Sequence, residues 1–150
     1  FYLHRLLFPF LEDGRAIYLQ ARTISSNVEP RWHNLRGSVP ALYNSVALTS
    51  ASAGTTVYLV EGFTDTLTLL SHNFRAVGLV GAGGLRDEWL SRFGSLHVVC
   101  LLDPDEAGRR AAERYVESFA QRGISFTRVE LPSDVNEFFR SSSSAALELT

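Results

Sequence analysis

Hydrophobic positions along the chain fall into short runs separated by longer amphipathic stretches. RLLFPF (5–10) and RAIYLQAR (15–22) flank Glu12-Asp13-Gly14. An Asp-Gly step between two hydrophobic runs predicts a β-hairpin, because both turn positions accept positive φ. Residues 23–45 lack periodicity and hold Pro30, Gly37 and Pro40, so they read as loop and short irregular structure. TSASAGTT (49–56) is a polar stretch of small residues and reads as a linker between two parts of the chain.

Beyond it the pattern alternates. VYLV (57–60), AVGLV (76–80), HVVCLL (97–102) and SFTRVEL (125–131) are apolar enough for buried strands. Between them, 64–72, 85–93 and 105–122 suit helices, with Thr64 expected as an N-cap and Gly123 at the position after the last turn. Asp134 with Glu137 resembles a capping box for a final helix over 135–140. Strands alternating with helices predict an α/β fold, a parallel sheet of about four strands with helices on both faces, preceded by a small hairpin-containing subdomain. The expected division is 1–48, linker 49–56, an α/β domain over 57–140, and a serine-rich tail over 141–150.

With 150 residues and 45% hydrophobic content the chain can build a core without staples. Its one Cys, Cys100, excludes an internal disulfide and a cysteine-rich zinc site, and it sits inside a strand as a small core residue. His4, His33, His72 and His97 show no metal-ligand spacing. No apolar run is long enough to span a membrane. The chain begins at Phe1 and is read as a piece of a longer protein, from a reducing, cytoplasmic setting. All 14 basic residues are Arg, and the net charge is −2. Residues 1–56 are mildly basic and the remainder acidic, a division that suits an anionic partner beside a metal site as well as it suits ordinary solvated surfaces.

The carboxylates change the picture. VYLV is followed by Glu61-Gly62-Phe63-Thr64-Asp65, and HVVCLL by Asp103-Pro104-Asp105-Glu106-Ala107-Gly108. Ligands of open parallel sheets sit beyond the strand carboxyl ends, so Glu61 and Asp103 converge if their strands are neighbours. Carboxylates gathered there repel one another unless a cation is bound, and an all-oxygen set selects Mg²⁺ or Mn²⁺. Asp65 and Asp105 each also suit a helix cap. Gly81-Ala82-Gly83-Gly84 follows a strand but is neither a dinucleotide nor a Walker loop, and reads as a tight turn at the sheet edge. No Gly-x-Ser-x-Gly nucleophile motif is present. Trp32 and Tyr43 are candidates for base stacking or for core packing.

The stretches VYLVEGFTD and VVCLLDPDEAGRRAA resemble the two motifs of the TOPRIM domain, and Leu131-Pro132-Ser133-Asp134 resembles its last element. Phe8-Pro9, Asp13-Gly14-Arg15, Gln20-Ala21-Arg22 and Arg31-Trp32-His33-Asn34 resemble the basic front of a bacterial DnaG-type primase core or its phage and plasmid relatives. The resemblance implies a Rossmann-like TOPRIM sheet and a Mg²⁺- or Mn²⁺-dependent nucleotidyltransferase that makes RNA primers on single-stranded DNA. It implies Glu61, Asp103 and Asp105 as catalytic metal ligands, with Glu61 also a candidate base, and Asp65 as a supporting acid. Arg22, Arg31, Asn34 and Arg109 are implied as contacts to nucleic acid or nucleotide. Implied partners are single-stranded DNA, NTPs and a replicative helicase met through other parts of the parent protein. Two departures stand out: Arg31 replaces a Lys, and Gln20-Ala21 replaces a Gly-Gly pair. Other readings of the same acids are a TOPRIM nuclease and a non-catalytic nucleic-acid-binding module.

Overall fold

Tyr58 and Val60 point to one face of their strand while Val57 and Leu59 point to the other, and both pairs are buried. That period-2 alternation, with both faces apolar, requires cover on both sides. The computed structural model, which describes residues 5–37 and 40–141, supplies it. A four-stranded parallel sheet has the order β5-β4-β6-β7. Its strands are β4 (Thr56–Val60), β5 (Ala76–Gly78), β6 (His97–Leu101) and β7 (Ser125–Arg128). On one face Val57, Leu59, Val98 and Cys100 pack with Leu90, Phe93, Ala111, Tyr115 and Phe119. These come from α3 (Asp87–Leu90), the 3₁₀ turn 91–93 and α4 (Glu106–Ala120). On the other, Tyr58, Val60, Val99 and Leu101 pack with Leu69, Val135 and Phe138 from α2 (Phe63–Ser71) and α5 (Val135–Ser141).

The front segment is a three-stranded antiparallel sheet of β1 (Arg5–Glu12), β2 (Arg15–Thr23) and β3 (Trp32–Asn34). Asp13 and Gly14 both have positive φ, as the hairpin turn requires. The expected α/β architecture and hairpin are therefore present. Several boundaries differ. The stretch 23–45 is not all loop: β3 pairs with β2, its three residues too few to show a period. A four-residue helix, α1 (Val46–Thr49), precedes the polar stretch. Leu42, Ala47 and Leu48 lie in the core of the parallel sheet, and Tyr43 bridges to Gly78. α2 starts one residue earlier than expected, with Gly62 rather than Thr64 at its N-cap, because Asp65 turns back to the Gly62 N–H. α4 ends at Ala120 with Gln121 as its C-cap, two residues earlier than expected, and Gly123 follows with φ +64° one position beyond C′.

Phe63, the first residue of α2, joins the two sheets. It stacks on Phe8 (centroids 3.9 Å apart) and meets Trp32 edge-on at 5.3 Å and Tyr43 at 5.7 Å. It is 2% exposed, so truncation to Ala should cost about 3–5 kcal/mol. His97 is held by Ser125 and Thr127, as befits a structural residue, and Cys100 is buried with its thiol pushed up to about 12. No helix among the described residues is long and apolar enough to cross a membrane. Phe1, His4 and the tail beyond Ser141 lie outside the described residues.

Candidate metal centre and nucleotide crevice

β4 and β6 are hydrogen-bonded neighbours in register from Thr56↔His97 to Val60↔Leu101. Glu61 and Asp103 therefore leave the same edge of the sheet side by side. With Asp65, one turn into α2, they line a crevice of about 480 Å³. The opposite wall is the front sheet, through Gln20, Trp32 and Asn34. Leu79, Val80 and Gly81 close the end.

The acids sense one another. Burial raises the pKa of Glu61, Asp103 raises it further, and Asp105 adds to the effect, while backbone N–H groups of Ala82 and Asp103 oppose the rise. Burial also raises Asp103, with Asp134 and Asp105 contributing. Asp65 reaches about 7, first through burial and then through Asp103, Asp134 and Glu61. Asp65 is nonetheless well held: the Gly62 N–H bonds to it, and Asn136 Nδ2 donates to its Oδ1. Thr68 Oγ1 donates to Asn136 Oδ1, so the amide of Asn136 presents its NH₂ to Asp65.

Glu61 Oε2 is buried and has no hydrogen-bond partner, alone among buried side-chain oxygens and nitrogens of the described residues. A buried carboxylate oxygen without a donor is costly. Placed beside Asp103, it fits a hard cation. Among the described residues no three His, Cys, Asp or Glu side chains are arranged to hold an ion by themselves. One or two carboxylates are a common protein share of a Mg²⁺ site. Glu61 and Asp103 are the residues placed to hold the ion.

The other expected site residues divide. Asp105 is the N-cap of α4, its Oδ1 accepting the Gly108 N–H at 2.7 Å, and it stands outside the crevice lining. Arg109 is not brought to the crevice: it donates to the Pro104 carbonyl at 2.6 Å and lies 3.8 Å from Glu130. Asn34 lines the crevice, while Arg22 and Arg31 line a separate hollow of about 260 Å³ on the front sheet. The Arg22 guanidinium lies 4.8 Å over the ring of Trp32, which itself lines the crevice. Asp134 and Asn136 are electrostatic and hydrogen-bonding members of the site: the sequence offers Asp134 only as a helix cap and part of the last TOPRIM-like element, and Asn136 only as a residue of the final helix. Asp134 does cap α5, accepting the Glu137 N–H at 2.8 Å. The glycine run is a tight turn, closed by the Gly84 N–H on the Gly81 carbonyl at 2.9 Å.

Residues 58–139 match the family model described as Toprim-like, more than half of the chain. The chain belongs to the Toprim-like family. In fold it is similar to the Aquifex aeolicus primase, zinc-binding and RNA polymerase domains, with TM-score 0.81 and 26% identity over 99% of this chain and 39% of that one. It is also similar to the RNA polymerase domain of Mycobacterium tuberculosis primase DnaG (TM-score 0.72, 18% identity, covering 96% of this chain and 53% of that one). The primase fragment of the bacteriophage T7 primase-helicase protein matches with TM-score 0.70 and 20% identity, over 95% of this chain and 60% of that one. The T7 and mycobacterial likenesses show the shared fold. This Toprim-like chain thus spans about two-fifths of the Aquifex chain it resembles. No curated protein matches it significantly.

The raised Asp65 gives a pH-dependent prediction. The folded-state pKa of about 7 lies above the ordinary 3.8, so the folded chain binds the extra proton between those values. The stability from that proton is complete below pH 3.8 and is lost as pH rises through about 7. Asp65→Asn, which keeps an acceptor for Asn136, should remove this loss. In metal-free buffer at pH 8 the variant should be more stable than the parent by on the order of 2 kcal/mol, with the difference vanishing near pH 4. Thermal melts across pH check it, and identical pH profiles would contradict it.

Proposed function

We propose that this chain is the nucleotidyl-transfer core of a DNA primase, joining ribonucleotides into short RNA primers on single-stranded DNA. The observation that carries this reading is the crevice itself: convergent acids with an orphaned buried oxygen face Gln20, Trp32 and Asn34 of the front sheet, with Arg22 and Arg31 in a separate hollow on the same sheet. Similarity to primase fragments over nearly the whole chain supports it.

Bound at Glu61 and Asp103, Mg²⁺ or Mn²⁺ would neutralise phosphate charge and lower the pKa of an attacking hydroxyl. Glu61, with a raised pKa, is suited to accept the proton of the primer 3′-hydroxyl. The freed oxygen attacks the α-phosphorus of the incoming nucleotide, a new P–O bond forms, and the bond to the departing pyrophosphate breaks. Asp65, locked by Gly62 and Asn136, positions the neighbouring acids without direct contact with the reacting atoms. Asp105 contributes its charge from the helix cap and remains a candidate ligand through its second oxygen. Arg22 and Arg31 would hold template or nucleotide phosphates, Arg31 with a bidentate fork where a Lys would offer a point charge. A replicative helicase would be engaged by other parts of the parent protein.

The test incubates the chain with single-stranded DNA, labelled NTPs and Mn²⁺ and sizes the products on a denaturing gel. Short RNA products are expected. Shortened DNA instead would assign the site to nuclease chemistry, and metal-independent DNA binding with no product would favour a non-catalytic module. In binding titrations against single-stranded DNA at several salt concentrations, Arg31→Ala should weaken template binding about equally across sequences and reduce the salt slope of log K by about one.

A further inference from the structure

We infer that the crevice contains a nucleobase-reading site built from Gln20 and Asn34. The inference rests on the nucleotidyl-transfer reading and adds a ligand contact to it. Gln20 on β2 and Asn34 on β3 are directly paired in the sheet register. Gln20 is also paired with Phe8 on β1, so all three side chains share the face that meets Phe63. Gln20 Nε2 donates to Asn34 Oδ1 at 2.9 Å.

That bond consumes one group from each carboxamide. It leaves the Gln20 carbonyl oxygen as an acceptor and the Asn34 NH₂ as a donor. Turning both amides over exchanges the roles and still leaves one acceptor and one donor. A neighbouring donor and acceptor in one plane is what the pairing edge of a nucleobase presents. Phosphate oxygens only accept, so they would engage half of the pair at most.

Position supports the same assignment. Gln20 and Asn34 line the crevice that holds Glu61, Asp65 and Asp103, so a nucleotide with its phosphates toward the acids keeps its base within the same cavity. Trp32, 37% exposed and a member of the same lining, gives that cavity an aromatic wall. The sequence departure now has a use: where the resembling motif carries glycine, this chain places a side chain with a donor and an acceptor.

The experiment compares three probes in the presence of Mn²⁺: each of the four NTPs, ribose 5-triphosphate, and inorganic tripolyphosphate. Affinities are measured for the parent, Gln20→Ala and Gln20→Glu, the second keeping the side-chain shape while removing the donor. The parent should bind an NTP more tightly than either base-free probe. Gln20→Ala should lose about tenfold of NTP affinity or more with tripolyphosphate affinity unchanged, and Gln20→Glu should reorder the four NTPs relative to its own tripolyphosphate affinity. Equal gaps between NTP and base-free probes in parent and variants would overturn the base-reading site. A loss shared by ribose 5-triphosphate would overturn it in favour of a sugar contact. Tripolyphosphate binding that survives Glu61→Gln would instead overturn the nucleotidyl-transfer reading on which it rests.

Discussion

Glu61→Gln should lower primer synthesis by about a thousandfold or more while leaving the fold intact. The substitution keeps the shape of a residue at the end of a central strand, and it removes a charge that burial and Asp103 already disfavour. In metal-free buffer the variant should therefore melt at or above the temperature of the parent. Added Mn²⁺ should separate them in the other direction. An ion that binds only the folded state raises the melting temperature by mass action, and a site that has lost its buried, unpartnered Oε2 forfeits that gain. Activity and melting curves, each with and without Mn²⁺, check both halves. Retained synthesis would remove Glu61 from the chemistry. Lost synthesis with a full Mn²⁺ stabilisation would move the ion elsewhere.

Gly108→Ala should be the most damaging conservative change outside the acids. A Cβ at Gly108 would lie 2.1 Å from the Asp103 carbonyl oxygen and 3.1 Å from its carbonyl carbon. The obstacle is backbone, so no rotamer change relieves it, and α4 must move away from the end of β6. Overpacking of this kind costs about 3 kcal/mol, or roughly 6–12 °C in melting temperature for a chain of this length. The same displacement carries Asp103 and the Asp105 cap, whose carboxylate receives the Gly108 N–H. Metal stabilisation should fall along with the melting temperature. Gly83→Ala is the control: nothing lies within 4 Å of the added methyl, and stability and metal response should stay at parental values. Equal behaviour of the two variants would contradict the close approach.

The division between what the chain discloses and what it withholds follows range. Buried parallel strands are apolar at every position, so β4 and β6 stand out, and acids placed just after them point to the sheet edge. Whether those acids meet depends on strand order, which is a long-range property, and the pairing of β4 with β6 settles it. β3 and α1 escape periodicity because three or four residues complete no period. The DxD pair looks uniform in sequence, yet Asp103 faces the crevice and Asp105 caps α4, since successive residues at a strand-to-helix turn diverge. Asn136 touches Asp65 from 71 positions away, a contact with no local signature. Arg109 donates to the neighbouring Pro104 carbonyl and stands outside the crevice lining, a local contact that the motif alone does not disclose.

The placement of the acids on the two innermost strands has a kinetic consequence. Amide hydrogens of β4 and β6 are flanked by strands on both sides and covered by helices on both faces, so their exchange with solvent waits for global opening. Edge strands β5 and β7 and the front hairpin open through smaller fluctuations. The edges of the chain can thus loosen, over microseconds to milliseconds, while Glu61 and Asp103 stay anchored to its slowest-exchanging segment.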